Sequence, residues 1–284
     1  MDGRHKSTFQ TVVRRATKGR TVGKLEGQGM AEEMTKGRRA ALVTGASYGI
    51  GAATAIGLAE DGFDVAVTDL RTDDLASTVS KIAAAGRRGM PIALDICSQA
   101  SVERGFRQVL DAFGELDALV NNAGVPSLNQ PATDIARADW DQVLAVNLTG
   151  TFFMAQQMGR HLIETKRQGA IVSVASTHGV VGFSGASAYG IAKAGVSHMT
   201  KMLAIEWAQH GIRVNAIAPG TTETKSRAPR LAIPENRKRM LERIPIGRFG
   251  TAEEMAAGIR YLVSPQAAYI TGHTLVLDGG LTVG

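Results

Sequence analysis

The chain has 284 residues, 44% of them hydrophobic and 5% aromatic, with a formal net charge of +6. This length and apolar content suit one large domain with a buried core, and no apolar run approaches the roughly 20 residues that span a bilayer. Residues 1–39 hold ten basic and four acidic side chains, so residues 40–284 hold twenty-two of each sign; neither nucleic acid nor a membrane is expected as a partner of that neutral body.

The chain opens with residues 1–38, which read as a basic, flexible extension: polar, Gly-containing and weakly periodic. They lack the long apolar core of a secretory signal. Their basic residues loosely suggest an organelle-targeting peptide, against which stand Glu32, Glu33 and the weak amphipathicity. Met30 and Met34, just before the first strand, leave an over-extended start equally open.

From residue 39 to 284 strands alternate with helices. "AALVTG" (40–45) reads as a strand, and "GIGAATAIGLAEDG" (49–62) as a helix stopped by Gly62. A second strand, 64–69, and a helix, 73–86, follow. A third strand, 90–95, leads into a helix over 98–114 with Ser98 as N-cap. The single cysteine between them, Cys97, rules out an internal disulfide and fits a reducing, cytoplasmic compartment; it reads as a small buried hydrophobe. "DALVNNAG" (117–124) is a fourth strand running into a polar turn, followed by helices near 134–147 and 148–166. A fifth strand (169–176), a long helix (187–211) and a sixth strand (212–220) precede an irregular polar segment. A helix over 251–264 and a strand over 273–280 close the chain. Helices of ten or more residues between near-continuously apolar strands imply an α/β fold: a doubly wound, Rossmann-like parallel sheet in a single domain.

Three features carry chemistry. "TGASYGIG" (44–51) lies where the first strand turns into the first helix. Gly45, Gly49 and Gly51 let backbone approach a pyrophosphate, and the helix N-terminus offers free N–H groups. Asp69 closes the second strand, 18 residues after Gly51. A carboxylate there accepts the adenosine ribose hydroxyls and repels a 2′-phosphate, which favours NAD over NADP; Arg71 is the one nearby cation that softens this. An Asp there also serves simply to cap the next helix. In "AYGIAKAG" (188–195), Tyr189 and Lys193 stand four residues apart on one helix face. An ammonium beside the phenol favours the phenolate, and the phenol then exchanges a proton with an alcohol. On its own, such a pair is more often a solvated helix face.

"TGASYGIG", "NNAG" (121–124), "VAS" ending at Ser176, "YGIAK" and "PGTTET" (219–224) occur in order. Together they resemble the short-chain dehydrogenase/reductase family in its compact form, over residues 38–284. That resemblance implies roles for particular residues. Tyr189 is the general acid/base and Lys193 lowers its pKa and binds the nicotinamide ribose. Ser176, thirteen residues before Tyr189, bonds the substrate oxygen, and Asn147 of "VNLTG" holds a water in the proton path. Ser47, Tyr48 and Ile50 join the three glycines in the dinucleotide loop. Asp95 and Ile96 contact adenine. Asn121 braces the sheet, and Asn122, Ala123 and Gly124 line the cofactor. Pro219, Gly220, Thr222 and Thr224 hold the nicotinamide end. The implied activity is NAD(P)-dependent interconversion of a secondary alcohol and a ketone, with NAD the cofactor that Asp69 favours. The implied assembly is a homotetramer built on the helices around 148–166 and 187–211 and on the C-terminal strand region, with Trp207 in core or interface.

Substrate choice falls to "THGVVGF" (177–183) and to "TTETKSRAPRLAIPENRKRM" (221–240), which reads as a mobile lid. His178, Glu223, Lys225, Arg227 and Arg230 are polar or charged, and neither stretch shows an aromatic cluster. This favours a small polar alcohol: a polyol, sugar or hydroxy acid. A 3-oxoacyl thioester reductase and a non-catalytic NAD-binding regulator are the alternatives. No metal site is expected.

Overall fold

A computed structural model describes residues 39–225 and 228–284. The expected basic extension, Arg227 and the side chain of Arg230 lie outside the described residues.

Seven parallel strands form one sheet: β1 (Arg39–Thr44), β2 (Phe63–Asp69), β3 (Gly89–Ala93), β4 (Ala118–Asn121), β5 (Gly169–Val174), β6 (Ile212–Pro219) and β7 (Thr274–Leu277). Their order is β3-β2-β1-β4-β5-β6-β7. The chain winds outward from β1 to β3, then returns to place β4 on the other side of β1. Connections leave in opposite directions at that point, so a crevice opens beyond the carboxyl ends of β1 and β4.

Strand periodicity of two divides the core between the two faces. Leu42, Ala66, Leu119 and Ile171 face one side. There they meet Phe106 of α3 (Gln99–Phe113), Met154, Met158 and Leu162 of α5 (Thr151–Glu164), and Val196 and Leu203 of α6 (Ser187–Trp207). Ala41, Val43, Val65, Val67, Val120 and Val172 face the other. They pack on Leu58 of α1 (Gly49–Glu60), Ile82 of α2 (Ala76–Ala84), and Ile259 and Leu262 of α9 (Ala252–Val263). Double-sided burial explains why the strands read as apolar runs rather than alternating ones.

Local signals place the helix ends. The Ser98 hydroxyl accepts from the Ser101 N–H at the start of α3. Thr251 and Glu254 form a reciprocal capping box at the start of α9.

Five expectations are revised. The stretch expected as two helices is α4 (Arg137–Leu144), a π-helical turn (Ala145–Gly150) and then α5, joined without a break. The segment after β6 is not wholly irregular; it holds α7 (Ala228–Leu231) and α8 (Pro234–Leu241). α6 ends at Trp207, and a 3₁₀ turn covers 208–210. The last strand stops at Leu277, because the Asp278 carboxylate turns the chain by accepting from the Gly280 and Thr282 N–H groups. Cys97 is exposed rather than buried. The β3 ladder ends at Ala93, so Cys97 sits past it in the turn to α3, where its N–H bonds the Asp95 carboxylate at 2.9 Å. Trp207 is half-buried and packs on the first core and on Gly159.

Candidate active site

A cleft of about 1590 Å³ opens at the carboxyl ends of the strands. It is lined by every residue proposed above for catalysis or cofactor contact except Gly51. Gly51 is buried beneath the loop, and the reason is steric. A Cβ there would strike the Gly45 carbonyl and lie 2.5 Å from Asn122 Nδ2. Asn122 holds the loop from below, donating to the carbonyls of Thr44 and Gly45 at 3.0 and 2.8 Å. The Thr44 hydroxyl in turn accepts from the N–H groups of Asn122 and Ala123, both at 3.0 Å. The "TGASYGIG" and "NNAG" segments are thus one hydrogen-bonded unit.

The dinucleotide end follows from this frame. Gly45 and Gly49 have φ of 63° and 60°, values that favour glycine. Tyr48 stands at the N-cap of α1 and makes no side-chain capping bond, which leaves first-turn N–H groups without a side-chain partner where Tyr48, Gly49 and Ile50 line the cleft. The residues therefore fit an anionic pyrophosphate. Across the cleft, Thr224 packs against Gly49, its methyl 3.3 Å from where a Cβ would stand. Thr222 is buried, bonds the Gly220 carbonyl at 3.3 Å and bridges to Gly250. Gly220 lies against Asp278, whose Cα would be 2.7 Å from an added Cβ. At the outer end Asp69 accepts from the Ser47 hydroxyl at 2.5 Å and from the Leu70 N–H at 2.9 Å, so it does not act as a helix cap. Ile96 is buried and Asp95 exposed at the rim.

At the inner end Lys193 is buried and donates to the Val174 carbonyl at 2.7 Å. Burial pushes its pKa down to about 8. Its Nζ lies 5.8 Å from the centre of the Tyr189 ring. Ser176 is buried two residues past β5, at the start of a 3₁₀ turn (Thr177–Gly179), its hydroxyl accepting from the His178 N–H at 3.2 Å and meeting His178 Nδ1 at 3.4 Å. Asn147 is fully buried within the π turn and donates to the Val125 carbonyl at 3.1 Å. Its Oδ1 has no hydrogen-bond partner among the described residues. The close approach of that oxygen is possible only because residue 124 is glycine: a Cβ there would lie 2.6 Å from it. Asn121 is also buried, donating at 3.4 Å to Thr151 O and Ser173 Oγ.

The sequence shows no aromatic cluster near the substrate end, yet one forms. His178 stacks on Phe183 at 4.1 Å and meets the Tyr189 ring edge-to-face at 5.6 Å. Phe183 closes the stretch after Ser176, and only folding brings its ring onto His178. Two arginines that the sequence does not single out, Arg239 and Arg243, also line the cleft. The signal available was the run of basic residues after β6, in which both stand. Among the described residues no cluster of three potential metal ligands occurs, and no helix is long and apolar enough to cross a membrane.

A family model described as enoyl-(acyl carrier protein) reductase matches residues 45–282. The chain is 38% identical over 244 residues to 3beta-hydroxysteroid dehydrogenase 1 of Eggerthella lenta, covering 85% of this chain and 93% of that one. It is 38% identical over 243 residues to the 3-oxoacyl-[acyl-carrier-protein] reductase FabG of Thermotoga maritima, covering 85% and 97%. A solved structure from Agrobacterium tumefaciens, provisionally assigned as a 2-deoxy-d-gluconate 3-dehydrogenase and holding NADP, superposes with a TM-score of 0.81 at 37% identity. The match covers 88% of this chain and 98% of that one. Matches of this breadth, on a parallel sheet with the described cleft, mean that the chain belongs to the short-chain dehydrogenase/reductase family of NAD(P)-binding oxidoreductases.

Proposed function

We propose that the protein interconverts a secondary alcohol and a ketone, with Tyr189 exchanging the proton and NAD as the preferred cofactor. The observation that carries this reading is that Tyr189, Lys193, Ser176 and Asn147 line the same cleft as the uncapped start of α1. When bound there, the nicotinamide takes up or supplies the hydride. The chain's own residues manage the proton and the geometry. The Lys193 ammonium, held beside the Tyr189 ring, favours the phenolate. The phenolate takes the proton of a substrate hydroxyl and, in reverse, the phenol returns it to the forming alkoxide. Ser176 donates to the substrate oxygen and orients it. The unpartnered Asn147 Oδ1 is the kind of buried acceptor that holds a water, and it supports a proton path from Lys193 to solvent.

Asp69 supports the choice of NAD. Ser47 and Leu70 hold its carboxylate, which retains lone pairs for two ribose hydroxyls. Arg71, the cation nearest in sequence, is paired with Asp74 at 3.5 Å. A small polar alcohol remains the favoured substrate class. Of the proteins reported above, one is named for a steroid, one for a deoxygluconate and one for a 3-oxoacyl chain; acyl thioester reduction is the second reading, carried by the likeness to FabG. The expected assembly is a homotetramer in the cytoplasm. The exposed apolar side chains Phe153, Met202 and Ile205 on α5 and α6 suit a buried face.

The test is a panel of polyols, sugars, hydroxy acids and 3-oxoacyl thioesters with NAD and NADP, read by absorbance of the reduced nicotinamide. Turnover of polar alcohols with NAD supports the reading; turnover of thioesters alone favours the second.

A further inference from the structure

The ionisable lining of the cleft is divided by sign. Its carboxylates, Asp69, Asp74 and Asp95, stand on the β2 and β3 side. Its cations, Lys193, Lys225, Arg239 and Arg243, stand elsewhere. Lys193 belongs to the site already described. Lys225 follows Thr224, which packs beside the dinucleotide loop at Gly49. The two arginines have no role so far.

Ring contacts fix their place. Tyr189 meets His178, His178 stacks on Phe183, and the Arg243 guanidinium lies 4.9 Å from the Phe183 ring centre. Arg243 is thus tied, ring by ring, to the wall that carries the reacting phenol, not to the adenosine end. Arg239 lies in the last turn of α8 and Arg243 two residues past its end, and both line the cleft.

Pairing within the same segment separates these two from their neighbours. Arg237 pairs with Glu223 at 3.1 Å, Lys238 with Glu242 at 3.9 Å and Arg248 with Glu254 at 2.6 Å. Arg239 and Arg243 have no acidic partner among the described residues, although Glu235 stands one turn before Arg239. Each keeps five donors and a permanent charge. Two such groups on the wall of a cleft suit an oxyanion, bound through charge-assisted and bidentate bonds.

We propose that Arg239 and Arg243 form an anion subsite, so that the substrate is an alcohol or ketone bearing a carboxylate or phosphate remote from its reacting carbon. The inference rests on the reading of Tyr189 as the reacting phenol, but its test does not depend on turnover. Cyclohexanecarboxylate, cyclohexyl phosphate and cyclohexanecarboxamide are titrated calorimetrically into the NAD-loaded protein. At least one anion is expected to bind about tenfold more tightly than the amide, the low end for charge-assisted bonds because both arginines are exposed. The stronger of the two anions identifies which group the subsite takes. In the double variant R239Q/R243Q that advantage disappears, while affinity for the amide and for NAD is unchanged. Equal binding of the amide and both anions by the wild type overturns the proposal, as does an anion preference that survives the double variant. If the preference is present and lost as expected, yet no hydroxy acid is oxidised, the subsite stands and the redox reading of Tyr189 falls.

Discussion

Lys193 donates its ammonium to the Val174 carbonyl across 2.7 Å, tying α6 to the end of β5. The ammonium is buried, and desolvation brings its pKa to about 8 from an ordinary 10.5. The folded protein therefore holds this proton less tightly than the unfolded chain does. Below about pH 8 the buried charge diminishes stability; as pH rises from about 8 towards 10.5, the unfolded chain binds more protons and that cost is relieved. The unfolding free energy of the cofactor-free wild type, minus that of Lys193→Met, is expected to rise by about 3 kcal/mol over this interval. Denaturant titrations at a series of pH values measure it, and a flat difference would contradict the assignment.

Tyr189→Phe removes the phenolic proton and keeps the ring that packs on His178. Turnover should fall by about 10²- to 10⁴-fold, the usual share of general acid–base catalysis. NAD affinity should stay near the wild-type value, as read by calorimetry. A variant that keeps its rate assigns the proton to another group.

Gly51→Ala tests the pyrophosphate loop by sterics alone. The added methyl meets the Gly45 carbonyl and the Asn122 amide, both already committed to the loop. Overpacking of this kind costs about 1–3 kcal/mol, so thermal melts should shift down by several degrees and dinucleotide affinity should fall with them. Gly182→Ala is the control: no heavy atom lies within 4 Å of the added carbon, and its melt should match the wild type.

Asp69→Ala removes the carboxylate that Ser47 and Leu70 hold in place. NAD should bind about tenfold more weakly, the size of one lost charge-assisted bond. The ratio of kcat/KM for NADP over NAD should rise by at least as much, because the repulsion of a 2′-phosphate is also lifted. A wild type that already prefers NADP would sink the role given to Asp69.

The sheet and its helices were legible because their signals are local. Gly62 ends α1 with φ of 92°, Ser98 caps α3, and Thr251 with Glu254 caps α9. The capping and periodicity that place such elements act over a few residues. The candidate site was legible for a different reason: "TGASYGIG", "NNAG", "VAS" and "PGTTET" stand at the ends of strands, where a parallel sheet gathers them, and "YGIAK" stands on α6 beside them. Cys97 was misread because residue type alone suggested burial, whereas the inside–outside alternation runs on from Ile92 through Leu94 and Ile96 and turns Cys97 outward.

By itself, then, the sequence determined the order of the strands and of the helices that cover the sheet, the neutral charge of the body and which residues are candidates for hydride-transfer chemistry. Only the tertiary structure decided how they meet. It turned Asn147 inward through a π-helical turn and seated its oxygen against Gly124. It folded the segment after β6 into α7 and α8 and joined Phe183 and Arg243 to the wall beside Tyr189. These arrangements depend on packing between segments far apart in the chain, and no local pattern of residues encodes which of them will touch.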